Sequence, residues 1–337
     1  MRIAILAHEK FPDRAKTAVG VLRYGDHEVV AVLDRESAGT TVGEHLPDID
    51  TADVPIVASA ADAPPFDALL IGIAPIGGGF DESWRPDVEA AIERGADVIS
   101  GLHYFLNDDE SFAALAAEHG VELRDVRDPP DDLTVAEGIA RDLDSEIVLT
   151  VGTDCSTGKM TTTLELVEAA RAAGIDAGFV PTGQTGIMIA GDGIAIDRTI
   201  SDFTAGATER LVREAAEDHE YVFVEGQGSI VHPAYSAVTC GILHGAAPDH
   251  LVLCHEAGRE RIHGYDSFRI PELPAVVASY LSLADPIAPT SLLGGALNTA
   301  HLSPAAAEEA IDAYGSAIDA PAVDPIRNGV DPLIERL

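Results

Sequence analysis

Lysine is nearly missing from this sequence. Three of its 337 residues are lysines, Lys10, Lys16 and Lys159, against 57 aspartates and glutamates, and the formal net charge is −36. A chain this acidic has no basic stripe with which to follow a phosphate backbone or an anionic bilayer, which argues against nucleic-acid and anionic-membrane partners. The surface it implies is a solvated one suited to high salt, where self-repulsion is screened. Cysteine is also scarce. Cys155, Cys240 and Cys254 supply no disulfide framework and no C-x-x-C pair, which fits a reducing cytoplasm. No run of about 18 apolar residues is present to span a membrane. The first strand pattern starts directly after Met1, so no signal peptide is expected.

What is present is enough to fold. Hydrophobic residues make up 46% of the chain, and its length accommodates two domains, each with its own core. Residues 3–6, 29–33, 55–57, 68–74, 96–100 and 121–126 read as strands. Helical patterns at 16–24 and 86–94 lie between them. Strands alternating with helices imply a parallel sheet with right-handed crossovers, a Rossmann-like half. No G-x-G-x-x-G follows its first strand, so the case for a dinucleotide is weak. The run Pro75-Ile76-Gly77-Gly78-Gly79 stands where such sheets bind ligands, and it reads equally well as a plain turn. Asp128-Pro129-Pro130-Asp131-Asp132 breaks the pattern and marks a boundary. The division expected is a Rossmann-like domain over 1–130, a linker over 131–145 carrying a helix at 135–143 capped by Thr134, and a second α/β domain over 146–337.

That second domain opens on a strand at 146–151, followed by Gly152-Thr153-Asp154-Cys155-Ser156-Thr157-Gly158-Lys159-Met160-Thr161 and a helix at 159–173. Strand, glycine-bounded loop, lysine and helix start are in the order of a P-loop. There, backbone amides and a helix N-terminus face an anion and the lysine reaches over it. One of three surviving lysines occupies that position. Against the common G-x-x-x-x-G-K-[ST], Thr153 stands in the first glycine's place, with Gly152 one residue earlier. Met160 replaces the hydroxyl residue that ligates Mg²⁺, and Thr161 offers a hydroxyl one place later.

Further strands are expected at 177–180, 221–224, 250–254 and 292–297. Helices are expected at 208–216, 304–314 and 332–337, the last capped by Asp331. The second strand leads into Pro181-Thr182-Gly183-Gln184-Thr185-Gly186. The third delivers Glu225-Gly226-Gln227-Gly228-Ser229. Glu225 stands in the Walker B position, where a carboxylate sits beside phosphates. Gln227, Ser229 and His232 are polar candidates for the same pocket. Cys155 lies where a helix N-terminus stabilises thiolates, without a basic neighbour in sequence. His244, His250, His255 and His263 lack zinc-site spacing, and no metal site is expected. Arg259 and Arg261 follow the strand that ends at His255; their guanidinium forks suit an acidic substrate or, equally, surface acids. Arg198, Arg210 and Arg269 are weaker candidates. The apolar helical faces leave room for self-association.

The G-T-D opening of the loop resembles that of dethiobiotin synthetase and its P-loop relatives. The fuller match is to another family. Gly152–Thr162, Thr182–Gly186, Glu225–Ser229 with His232-Pro233, and Asn298-Thr299 together resemble a two-domain P-loop family long catalogued as of unknown function, with a Rossmann-like N-terminal domain. Some of its members are D-glutamate N-acetyltransferases that use acetyl-CoA in D-amino-acid catabolism. The resemblance spans essentially the whole chain. It implies a Rossmann-like domain followed by a P-loop NTPase-like α/β domain, and an acyltransferase acting on an amino acid, most readily D-glutamate. Coenzyme A carries a diphosphate that a P-loop can grip without hydrolysis, so loss of the hydroxyl at Met160 would matter little. On that reading Gly152–Thr161 hold the cofactor, and Glu225 or His232 is the base. Gln184 or amides near Gly226–Ser229 stabilise the oxyanion, and Arg259 and Arg261, with Gln227 and Ser229, hold the acceptor. The rival readings are an ATP-dependent enzyme with Lys159, Thr161 and Glu225 around Mg-ATP, and a nucleotide-binding regulator without turnover.

Overall fold

The computed structural model describes residues 1–46, 49–75 and 77–337. They form two units: residues 1–129 with 184–195, and residues 130–183 with 196–337. No helix among the described residues is long and apolar enough to cross a membrane.

In the first unit β1 (Arg2–Leu6), β2 (Glu28–Leu33), β3 (Ile56–Val57), β4 (Ala68–Ile71), β5 (Asp97–Ser100) and β6 (Leu123–Asp125) form one sheet in the order β3-β2-β1-β4-β5-β6. Every pairing is parallel. The strands are apolar on both faces because crossover segments cover both sides; Ile3, Ile5, Leu6, Ala31 to Leu33 and Leu69 to Ile71 are all fully buried. This is the doubly wound order with its reversal between β1 and β4. The turn after β1 is filled from within. His8 is buried with Nε2 2.9 Å from Asp87 Oδ2. Asp34, just past β2, accepts from the Glu9 amide at 2.7 Å. Gly77 and Gly78 have positive φ, and a Cβ on Gly78 would lie 2.3 Å from His103. These two glycines therefore make a close-packed turn; Ile76 lies outside the described residues.

The second unit holds β7 (Glu146–Gly152), β8 (Ala177–Val180), β9 (Tyr221–Val224), β10 (His250–Glu256), β11 (Ser291–Asn298) and β12 (Ala322–Val323). They form a second all-parallel sheet in the order β12-β11-β10-β7-β9-β8. Val148, Phe223, Val252 and Leu293 from its strands pack with Leu166, Val167 and Leu333 from covering helices. The fold is thus two parallel-sheet α/β domains, Rossmann-like then P-loop-like, as the alternation of strands and helices predicts.

Three local expectations change. The helix expected at 135–143 does not form; that stretch holds a single 3-10 turn, Ala140–Asp142. Gly138 takes φ +75°, and the Glu209 carboxylate captures the amides of Glu137 and Ile139 at 2.6 and 2.8 Å. Both devices oppose helical backbone. The short C-terminal helix is Asp331–Ile334, with Val330 rather than Asp331 at its cap. Gln184, read as part of a loop, opens the helix Gln184–Ala190. That helix belongs to the first unit, where Thr185 and Thr17 share a hydrogen bond of 2.8 Å. A contiguous division of the chain does not anticipate this excursion. Further helices form at Glu110–His119, Ser236–Ala246 and Leu273–Ala284.

Candidate active site

β7 ends at Gly152 in the middle of its sheet, and the chain turns through 153–158 into the helix Lys159–Ala172. The turn needs left-handed backbone at Ser156 (φ +55°) and at Gly158 (φ +94°). Gly152 is required for space: a Cβ there would stand 2.8 Å from Thr157 Oγ1 and 2.9 Å from Lys159 Nζ. The Lys159 ammonium is buried and folds back over the loop, donating to the Asp154 carbonyl at 2.8 Å. Loop amides, a helix N-terminus and an inward lysine form an anion cradle. Met160 is 5% exposed and packs into the interior. Thr162 and Thr163 are buried and bonded inside the protein, to Cys254 and to Thr150, while Thr161 is half-buried.

Asp154 is the knot of this loop. It is fully buried. One carboxylate oxygen takes the Cys155 amide at 2.7 Å. The other takes the His263 amide at 2.8 Å and Arg259 Nη1 at 3.2 Å. Arg259 also donates to the Cys155 carbonyl at 2.8 Å and pairs with Glu256. A buried carboxylate is tolerable where charge and several donors meet it. Thr153, also fully buried, is hydrogen-bonded to His255 Nδ1 at 2.7 Å. Burial, reinforced by the Arg259 charge, pushes His255 down to about 4. Tyr280 ties two segments together: its hydroxyl donates to the Gly152 carbonyl at 2.8 Å and accepts the Ile230 amide at 3.2 Å.

Beyond β9, the Glu225 carboxylate is buried and accepts the amides of Thr182 and Gly183, both at 3.2 Å. Gln227 donates its carboxamide to Thr182. Gly226 lies so close under β7 that a Cβ would fall 1.7 Å from the Thr150 carbonyl and 3.3 Å from Lys159 Cδ. The glycine therefore brings Glu225 and Gln227 beside the lysine. His232 is 2% exposed. Its Nδ1 accepts the Ala234 amide at 3.0 Å, and its Nε2 stands 3.9 Å from Asp154 Oδ1. Tyr235 and Tyr265 flank the ring at 4.6 and 5.2 Å between centroids.

Residues 134–334 match the family described as Domain of unknown function (DUF1611_C) P-loop domain, and residues 35–129 match Domain of unknown function (DUF1611_N) Rossmann-like domain. The chain belongs to the DUF1611 family. A D-glutamate N-acetyltransferase of Tritonibacter scottomollicae is 36% identical over 324 residues, covering 96% of this chain and 94% of that one. A D-glutamate N-acetyltransferase of a Pseudoalteromonas species is 38% identical over 270 residues, 80% of each chain. The crystal structure of a DUF1611 family protein from Anabaena variabilis superposes with a TM-score of 0.94 at 39% identity, covering 99% of this chain and 98% of that one.

Among the candidate residues of this DUF1611 chain, the structure gathers Gly152 to Lys159, Arg259, Glu225, Gln227 and His232 around one loop. Ser229 is fully buried and accepts the Val231 amide at 3.3 Å, a turn-forming role. Arg261 is exposed and donates to the Asp266 carbonyl of its own loop. Gln184 lies in the first unit, where a Cβ on Gly101 would meet its Cγ at 2.9 Å. Arg210 pairs with Asp132 and Glu214 at the surface, and Arg269 with Glu260. Asp154, Cys155 and His232 offer ligand atoms within 4.8 Å of one another, a grouping that could hold a metal ion. In the neutral ring that accepts at Nδ1, however, the Nε2 position carries the proton and has no lone pair for a cation. Sequence reasoning missed Tyr280 and the two tyrosines around His232, and it read His255 only as a histidine without zinc-site spacing. Tyr235 had a signal, three residues past His232; Tyr280 had none.

Proposed function

We propose that this chain transfers an acetyl group from acetyl-CoA to the amino group of D-glutamate. The chain is an amino-acid N-acetyltransferase, the class of its relatives at 38% and 36% identity. D-glutamate, the acceptor in those relatives' names, is the substrate proposed here. The observation that carries the choice of donor is the P-loop itself: an anion cradle with a buried lysine, in which Met160 is packed into the core where a Mg²⁺-ligating hydroxyl would stand. Such a loop grips a diphosphate and makes no provision at that position for hydrolysing one. Acetyl-CoA, a co-substrate, supplies an activated acyl group and a diphosphate handle; Gly152 to Lys159 would hold the handle.

The chain's own residues then have two further tasks. A base takes a proton from the acceptor ammonium. Glu225, buried beside the loop with one oxygen held by two amides, is our candidate. Cations hold the acceptor carboxylates; Arg259 stands at the loop, while Arg261 faces its own turn. The formal net charge of −36 and the three cysteines fit turnover in a salt-rich, reducing cytoplasm. The test is an assay in high salt with acetyl-CoA and a panel of D- and L-amino acids, following free thiol, beside one with Mg-ATP, following phosphate. Thiol release that requires D-glutamate supports the reading. Phosphate release without thiol overturns it.

A further inference from the structure

We propose that His232 serves this reaction as a hydrogen-bond donor, through Nε2–H, to the acyl carbonyl oxygen, and does not act as its base. The proposal rests on the acetyl-transfer reading above. An amide N–H can only donate, so Nδ1 of His232, 3.0 Å from the Ala234 nitrogen, is an acceptor. A neutral imidazole has one proton, and with Nδ1 accepting, that proton is on Nε2. Neither nitrogen then has a lone pair to offer an ammonium proton.

The surroundings favour the neutral ring. Burial is the largest influence and lowers the histidine below its ordinary value; the Lys159 and His263 charges act in the same sense, and Asp154 opposes them. Nε2–H is also unspent. Asp154 Oδ1, at 3.9 Å, is beyond hydrogen-bond distance, and that carboxylate is already occupied by the amides of Cys155 and His263 and by Arg259. Among the described residues no acceptor meets Nε2–H, although the side chain is 1% exposed. A donor at the edge of the pocket that no protein acceptor meets is open to an acceptor on a ligand. Tyr235 and Tyr265 hold the ring in place, which makes the donor preorganised.

In the reaction the acceptor nitrogen attacks the acyl carbon and a C–N bond forms. The carbonyl π pair moves to oxygen, where Nε2–H meets the growing charge. When the C=O re-forms, the C–S bond breaks and the thiolate leaves with its electron pair. Before the attack the Glu225 carboxylate takes one proton from the acceptor ammonium and passes it to solvent, which frees the nitrogen lone pair; the second proton, released as the C–N bond forms, goes to the same carboxylate and then to solvent or the leaving thiolate. The His232 proton stays on Nε2 throughout, as electrostatic stabilisation of a developing oxyanion requires.

The test compares His232→Gln with His232→Ala and reads the ring's tautomer directly. A glutamine carboxamide N–H extends to about where Nε2–H stands but cannot act as a base. His232→Gln should keep kcat within roughly tenfold of the unaltered protein with an unchanged acid limb in its pH profile, while His232→Ala loses about 10²–10³-fold. Glutamine as damaging as alanine, with the acid limb abolished in both, overturns the proposal. The ¹⁵N–¹H imidazole spectrum of the unaltered protein should show the Nε2–H tautomer at neutral pH, whether or not either variant folds. An Nδ1–H ring in a protein that transfers acetyl groups overturns the donor role alone. Absence of acetyl transfer by the unaltered protein overturns the functional reading, and with it the ligand named here, while the tautomer remains a separate result.

Discussion

Arg259 holds Asp154 across the P-loop, Nη1 to Oδ2 at 3.2 Å, and with the same nitrogen reaches the Cys155 carbonyl at 2.8 Å. One guanidinium therefore binds both the side chain that knots the loop and the loop's own backbone. A loop that must present amides to an anion benefits from being held in shape before the anion arrives.

Arg259→Ala should loosen that shape. Hydrogen bonds to charged groups contribute about 1.5–3 kcal/mol, so the affinity for acetyl-CoA should fall by roughly 10- to 100-fold. Isothermal titration calorimetry reads it. If Arg259 served only the acceptor, acetyl-CoA affinity would not change and the KM for D-glutamate alone would rise.

Lys159→Ala removes the cation from the cradle and leaves the Asp154 carbonyl without its 2.8 Å donor. Acetyl-CoA binding should weaken by at least about tenfold, the scale of one lost charge-assisted hydrogen bond. Affinity equal to that of the unaltered protein would show that the loop does not grip the diphosphate.

Gly226→Ala should damage the fold, because its Cβ would fall 1.7 Å from the Thr150 carbonyl. Overpacking of this kind costs about 1–3 kcal/mol or more, a drop in Tm of several degrees. Gly183→Ala is the contrast: its Cβ would rest 3.4 Å from Glu225 Oε1, ordinary contact. It should melt with the unaltered protein while altering turnover. Differential scanning calorimetry beside the thiol assay separates the two. Equal melting temperatures for both variants would contradict the packing read here.

His255 links stability to pH. Its folded value of about 4 lies below the ordinary 6.5 because of burial first and Arg259 second. Between those two values the unfolded chain binds more protons than the folded one, so stability rises with pH over that window and is lost as pH falls from about 6.5 to about 4. Denaturant unfolding at pH 7, 6, 5 and 4 should show this slope, and His255→Gln should flatten it. An identical slope in the variant would assign the acid loss to other groups.

Much of the architecture can be read from the chain itself. The runs at 3–6, 29–33 and 221–224 announce buried parallel strands, and Gly158-Lys159 after an apolar strand announces the P-loop, because these signals are local and periodic. Glu225 is legible for the same reason, as the first polar residue after β9. The missing hydroxyl at Met160 is likewise a sequence fact with chemical meaning. Tertiary structure alone decided the rest. Arg259 is 105 residues from Asp154, and Tyr280 is 128 residues from the Gly152 carbonyl it caps. Hydrogen bonds over such separations leave no periodic trace, so Arg259 and Arg261 look equivalent in sequence and differ completely in place. The role of His232 shows the same limit at short range. Its residue type permits base, metal ligand or donor. The choice falls to which nitrogen the Ala234 amide meets, and a folded backbone sets that.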